Sequence, residues 1–174
     1  KTKLDNLYES LVIPLLNKIG QLWQVNSIKV IHEHYFSNIF REFLISNIEA
    51  VKTKPDPLKS AFLFLHDHEE HEFSILIYYY ILKSNGYECH YFGQKVPMKE
   101  ISSAFAHIKP QIVVSTFTAK LSEKNFMKIE ATLVEMSKTS LVIVSGSQIT
   151  NSDIKLTRDL TLVKKIDQLK RLLK

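Results

Sequence analysis

The sequence predicts an α/β chain: a helical cap, itself a partial bundle, followed by a doubly wound five-stranded parallel sheet. Three observations predict it. Apolar residues recur at three- and four-residue steps through the first fifty positions. A Lys54-Pro55-Asp56-Pro57 break then stops the helical pattern. Beyond it, short apolar runs alternate with helical stretches, the arrangement that gives parallel strands joined by crossover helices. The domains expected are a cap over 1–53, a linker over 54–57 and a Rossmann-like sheet domain over 58–174.

In the cap, Leu4, Leu7, Leu11, Leu15, Ile19 and Leu22 form one apolar stripe, and Pro14 should kink the helix that carries them. Asn26 and Ser27 are candidate caps for a second helix reaching about Lys52. On it Ile28, Tyr35, Ile39 and Phe43 share a face, with Val30, Glu33, His34, Ser37 and Arg41 on the opposite one. Two helices make a poor core, so further helices or a partner chain are expected to cover the stripe. The strands expected are Ala61–Leu65, Glu88–Phe92, Ile112–Thr116, Leu141–Val144 and Leu160–Val163. Helices are expected near 70–84, 98–107, 121–137, 151–156 and 164–173. Doubly wound sheets bind ligands beyond the carboxyl ends of their strands. Function should therefore lie in His66–Ser74, Thr116–Ala119 and Ser145–Gln148.

Composition narrows the function classes. The chain has 174 residues, 45% apolar and 24% charged, a globular balance. Only four glycines occur, Gly20, Gly86, Gly93 and Gly146, and no two lie close enough to cradle a phosphate. The net charge of +5 is too diffuse to argue for nucleic acid. Cys89 is the only cysteine, which excludes an internal disulfide and a thiolate zinc cluster and fits a reducing cytoplasm. The longest apolar run, Ile75 to Leu82, is far short of a membrane span, and no membrane association is expected. The chain opens on Lys1 within a helical pattern and reads as a piece of a longer protein.

The loop after the first strand holds three histidines and four carboxylates between positions 66 and 72. That composition suits a metal, with two histidines and a carboxylate as zinc ligands. With no His-Glu-x-x-His motif present, it suits better a polar loop whose acids favour the first turn of the next helix. No nucleophile–base pair points to an enzyme.

These residues also carry a resemblance. Glu69-x-His71-x-x-Ser74 after strand one is similar to the cobalamin-binding signature Asp/Glu-x-His-x-x-Gly. Ser115-Thr116-Phe117 resembles its Ser-x-Leu, and Ser145-Gly146 its Gly-Gly, each at the matching strand end. Pro14-Leu15-Leu16, Ile19-Gly20, Trp23 and, nine residues on, Glu33-His34 resemble the helical cap of cobalamin-dependent light-sensing repressors, which are MerR-type regulators.

The resemblance implies a flavodoxin-like cobalamin-binding fold and adenosylcobalamin between cap and sheet. His71 would be the lower axial cobalt ligand, with Glu69 on its other ring nitrogen. Ser115, Phe117, Ser145 and Gly146 would hold the buried tail, and Ser74 would lie near the corrin. Trp23, Val30, Glu33 and His34 would meet the adenosyl side. It further implies a homo-oligomer, and DNA contact through a preceding helix-turn-helix domain. Three functions are thereby in view: a light-responsive sensor and oligomerisation domain of a transcription regulator, a cofactor-free interaction domain of such a regulator, and a corrinoid carrier for methyl transfer. The chain departs from the pattern at Ser74 and Ser145, where the family has glycine, at Phe117, where it has leucine, and at Gln24, where it has histidine.

Overall fold

The computed structural model describes residues 4–25, 27–150 and 156–174, with the side chains of Asp5, Trp23 and Gln24 also outside the described set. The chain divides into two compact units, 1–52 and 53–174. No described helix is long and apolar enough to cross a membrane.

The first unit is helical. A helix begins as α1 (Leu4–Leu7), widens to a π-helical turn (Tyr8–Val12) and continues as α2 (Ile13–Gln24). Ile13 N–H donates to the carbonyl of Tyr8, five residues back. Pro14 has no N–H for the Ser10 carbonyl and its ring crowds that turn; the wider register lies directly before it. The register change also moves the apolar stripe. Leu4, Tyr8 and Val12 are the buried residues, while Leu11 and Leu15 of the expected stripe are exposed.

Helix α3 (Val30–Glu49) starts later and ends earlier than expected. Its cap is Lys29, whose N–H donates to the ring Nδ1 of His32 at 3.2 Å. Ser27 does not cap it, and Asn26 lies outside the described residues. The buried stripe of α3 is Phe40, Leu44 and Ile48. Tyr35 is 71% exposed, and Ile39 and Phe43 are also exposed, so the apolar face read from the sequence is the wrong one.

The second unit is a five-stranded sheet in the order β2-β1-β3-β4-β5, with every neighbouring pair parallel. The strands are β1 (Ser60–Phe64), β2 (Glu88–Tyr91), β3 (Ile112–Thr116), β4 (Leu141–Ser145) and β5 (Thr161–Leu162). The connections carry α4 (Phe73–Ser84), α5 (Met98–Ile108), α6 (Glu123–Ser137) and α7 (Ser147–Thr150), and α8 (Ile166–Leu172) closes the chain. The order reverses between β1 and β3, the switch point of a flavodoxin-like sheet.

Strands buried on both faces read as continuous apolar runs. Phe62, Phe64, Val113, Val142 and Val144 pack with Ile101 of α5 and Phe126, Ile129, Leu133 and Met136 of α6. The alternate side chains Leu63, Val114 and Ile143 are equally buried and point the other way, and α4 lies along β1, β2 and β3. Helix α7 occupies Ser147–Thr150, which the sequence did not anticipate; the helix expected near 151–156 falls on positions 151–155, outside the described residues.

Candidate cofactor site

The carboxyl ends of β1, β3 and β4 bring three loops together, and Glu69 ties the first two. Its side chain is fully buried. Oε1 accepts from the His71 ring Nδ1 at 2.7 Å, from His71 N–H at 2.9 Å and from Glu70 N–H at 3.0 Å. Oε2 accepts from Thr118 N–H and, at 2.8 Å, from Ala119 N–H, both in the loop after β3. Burial alone would raise the pKa of this carboxyl. The bonds from His71, Ala119 and Thr118 favour the charged form more strongly and hold it at about 2. Glu69 is therefore an anion at any physiological pH.

That anion fixes the tautomer of His71. With the proton on Nδ1 and directed at Glu69, the lone pair sits on Nε2, the nitrogen a metal would take. The ring is more than half exposed. The loop behind it is braced from β2: Lys95, at φ 52°, donates its N–H to the Glu69 carbonyl at 3.0 Å, and its ammonium meets Glu70 at 2.5 Å. Tyr91 of β2 donates its hydroxyl to the buried Glu72 at 3.1 Å.

On β3, Ser115 is fully buried and its Oγ has no hydrogen-bond partner among the described residues. Phe117 is also buried, its ring 4.8 Å from that of His66 and 5.7 Å from that of Phe126. At the end of β4, Ser145 donates its hydroxyl to the carbonyl of Val163 at 2.6 Å. The added oxygen of this serine is thus used within the fold, to hold the short β5 edge.

Gly146 has φ 107°, and a Cβ there would lie 2.6 Å from the carbonyl carbon of Phe117. The glycine makes room for the Phe117 backbone. Phe117 is gripped from both sides, its N–H donating to Ser145 O at 2.7 Å and its carbonyl accepting from Gln148 N–H at 3.0 Å. Gly146→Ala is expected to cost about 2 kcal/mol or more through overpacking and left-handed strain. A urea midpoint within error of wild type would contradict this.

The zinc arrangement is not formed. Among the described residues no three His, Cys, Asp or Glu side chains gather to hold a metal ion. His66 and His68 have ring centroids 6.4 Å apart, and His68 turns instead toward Asn125 at 3.2 Å.

In the helical unit, Glu33 accepts from the Ser37 hydroxyl at 2.8 Å and lies 3.3 Å from the His34 ring nitrogen. Val30 opens the helix and is exposed. The Trp23 side chain lies outside the described residues. Ser74 is the second residue of α4 and half-buried.

Sequence reasoning included His66 only as one histidine of the first candidate loop and did not anticipate that it is fully buried. The available signal was its place directly after an unbroken apolar run, Ala61–Leu65, where a buried strand has not yet reached solvent. It gave no role to Gln148 within the third candidate loop; the amide donates to Ala119 O and accepts from Leu121 N–H at 3.0 Å, steadying the loop that grips Glu69.

Comparison with known proteins bears out the resemblance. Residues 2–45 match the family model described as the B12 binding domain. Over 122 residues, 68% of this chain, the sequence is 27% identical to the HTH-type transcriptional repressor CarH of Myxococcus xanthus; the chain spans 39% of that protein's length. Two solved structures share the fold. The monomethylamine corrinoid protein of Methanosarcina barkeri has a TM-score of 0.66 at 12% identity, over 90% of this chain and 76% of that one. The methanol:cobalamin methyltransferase complex MtaBC of the same organism has 0.53 at 14% identity, over 97% and 67%.

Proposed function

We propose, of a chain similar in sequence to the cobalamin-binding domains of light-sensing repressors, that its sheet unit binds a cobalamin-type cofactor and that the whole serves as a sensor module of a transcription regulator. The observation that carries this is the pairing of Glu69 with His71. A buried, charged carboxylate holds Nδ1 of a half-exposed imidazole at the switch point, which directs metal ligation to Nε2. Imidazole is a good ligand for cobalt, and a carboxylate behind it raises its basicity.

The residues present fit the cofactor. Ser115 keeps a buried hydroxyl with no internal use, as expected of a side chain awaiting the buried base of a tail. When bound, adenosylcobalamin supplies a cobalt–carbon bond that light breaks. His71 would hold the cobalt through its ring, and Glu69 would keep its Nδ1 protonated. Ser115 would bond the tail, Phe117 would wall it, and Ser74 would lie near the corrin edge. On the resemblance alone, Trp23, Val30, Glu33 and His34 of the helical unit are assigned to the adenosyl side, and homo-oligomerisation and DNA contact through a further domain to the whole protein. In this reading the module binds and signals.

The test is colour. The purified chain is mixed with adenosylcobalamin in the dark, desalted, and its visible spectrum taken before and after one light exposure. Wild type is expected to stay coloured. His71→Ala is expected to lose most of the colour, or to keep it with a spectrum lacking imidazole ligation. A colourless wild type would sink the reading.

A second reading, a cofactor-free interaction module, draws on Ser145 and Phe117, which are both engaged within the fold. It predicts the same oligomeric state with and without cofactor.

A further inference from the structure

We propose that His66 is a second recognition residue for the buried part of the ligand, its Nε2–H donating to an acceptor on the nucleotide tail of a cobalamin-type cofactor. This rests on the cofactor reading above. His66 follows β1 and is fully buried. Its Nδ1 accepts the backbone N–H of His68 at 3.3 Å, so in the neutral ring the hydrogen sits on Nε2. The ring is neutral because burial makes its charged form unfavourable, lowering its pKa to about 4; the charges of Glu69 and Asp67 oppose this only in part. Nε2–H is then a buried donor with no acceptor among the described residues. Buried donors in native folds are almost always used.

The placement says what uses it. Phe64 pairs in register with Ser115 across β1 and β3. His66, two residues on, therefore shares a sheet face with Ser115, and its ring contact with Phe117 agrees. Two orphaned polar groups, an imidazole N–H and a serine hydroxyl, thus serve the same apolar layer, among Phe64, Phe117 and Phe126. The donor is also held in place. The His66 carbonyl accepts from Glu69 N–H at 2.8 Å, and its backbone bridges to Val96. A fixed donor in an apolar layer beside a waiting hydroxyl is built for a ligand with several acceptors, as a base–ribose–phosphate tail has. Nothing in the Asp/Glu-x-His-x-x-Gly spacing calls for a histidine at this position.

The experiment compares hydroxocobalamin, which carries the nucleotide tail, with aquocobinamide, which lacks it, on wild type, His66→Leu and His66→Gln. Affinity is read by visible titration and the melting temperature of the ligand-free protein by circular dichroism. His66→Leu should weaken hydroxocobalamin binding about tenfold and leave cobinamide unchanged. The same variant should melt no lower than wild type without ligand, because it removes an unpaired buried donor. His66→Gln, which restores an N–H, should recover much of the affinity. Equal loss for both corrinoids, no loss for either, or a lowered ligand-free melting temperature overturns the proposal while leaving the cofactor reading intact. Failure of wild type to take up either corrinoid overturns both.

Discussion

Replacing Glu69 by alanine is expected to destabilise the sheet unit by about 3–5 kcal/mol, a large part of the total stability of a domain this size. The carboxylate accepts five bonds, and its loss strands donors in two loops at once: Glu70, His71, Thr118 and Ala119. Stranded buried donors cost more than the bonds gained net in folding. Cofactor retention should fall with it, because the His71 ring loses the partner that sets its tautomer. Glu69→Gln is expected to fall between. An amide oxygen can still accept on one side, but its NH2 must then face N–H groups on the other. Urea unfolding followed by circular dichroism reads the first effect. A Glu69→Ala midpoint corresponding to less than about 1 kcal/mol would show that the two loops do not depend on this group.

The second large effect is acid lability in two windows. His66 has a folded pKa of about 4 against 6.5 for the free side chain. Above about pH 7 the ring is neutral in both states and contributes no pH dependence. As pH falls from 6.5 toward 4, the unfolded chain takes up the proton and the folded one does not. Stability is then lost at up to about 1.4 kcal/mol per pH unit, about 3 kcal/mol in all. Glu69 has a folded pKa of about 2 against 4.5. Its contribution is complete above 4.5 and is lost as pH falls further toward 2, at the same limiting slope. Urea midpoints measured down the pH scale should therefore begin to drop near pH 6.5, well before carboxylates titrate. His66→Leu should flatten the upper window and leave the lower one. A wild-type profile that stays level down to about pH 5 would mean the ring is not held neutral.

Much of this was legible in the residues, for definite reasons. Buried parallel strands have no polar alternation, so Ile112–Thr116 was bounded correctly by its apolar run. Strand β5 was over-extended because Leu160 and Val163 are buried without belonging to its two-residue ladder. The apolar face of α3 was misassigned because the helix carries apolar residues around most of its circumference, and periodicity cannot say which are covered. In the site, the resemblance carried by Glu69-x-His71 implied a ring on a carboxylate, and the two do meet at 2.7 Å. The far side of that carboxylate was not legible. Its partner Thr118 is 49 residues away, and a backbone N–H leaves no trace in sequence. At Gly146 the sequence could not show that a Cβ would meet the Phe117 backbone, 29 positions away in the chain.

The π-helical turn at Tyr8–Val12 has a consequence for any attempt to reshape the first helix. Such a turn amounts to one residue threaded into an otherwise regular α-helix. Each residue of a regular helix advances the chain by about 1.5 Å and swings it by about 100°. Removing a single residue from this stretch would therefore restore ordinary hydrogen bonding while rotating everything from Ile13 onward by about a quarter-turn. Side chains after Val12 would each face about a quarter-turn away from their present bearing without one of them being mutated. In this helix, chain length over five positions sets the azimuth of all that follows, and insertions or deletions there act as a dial, not as damage.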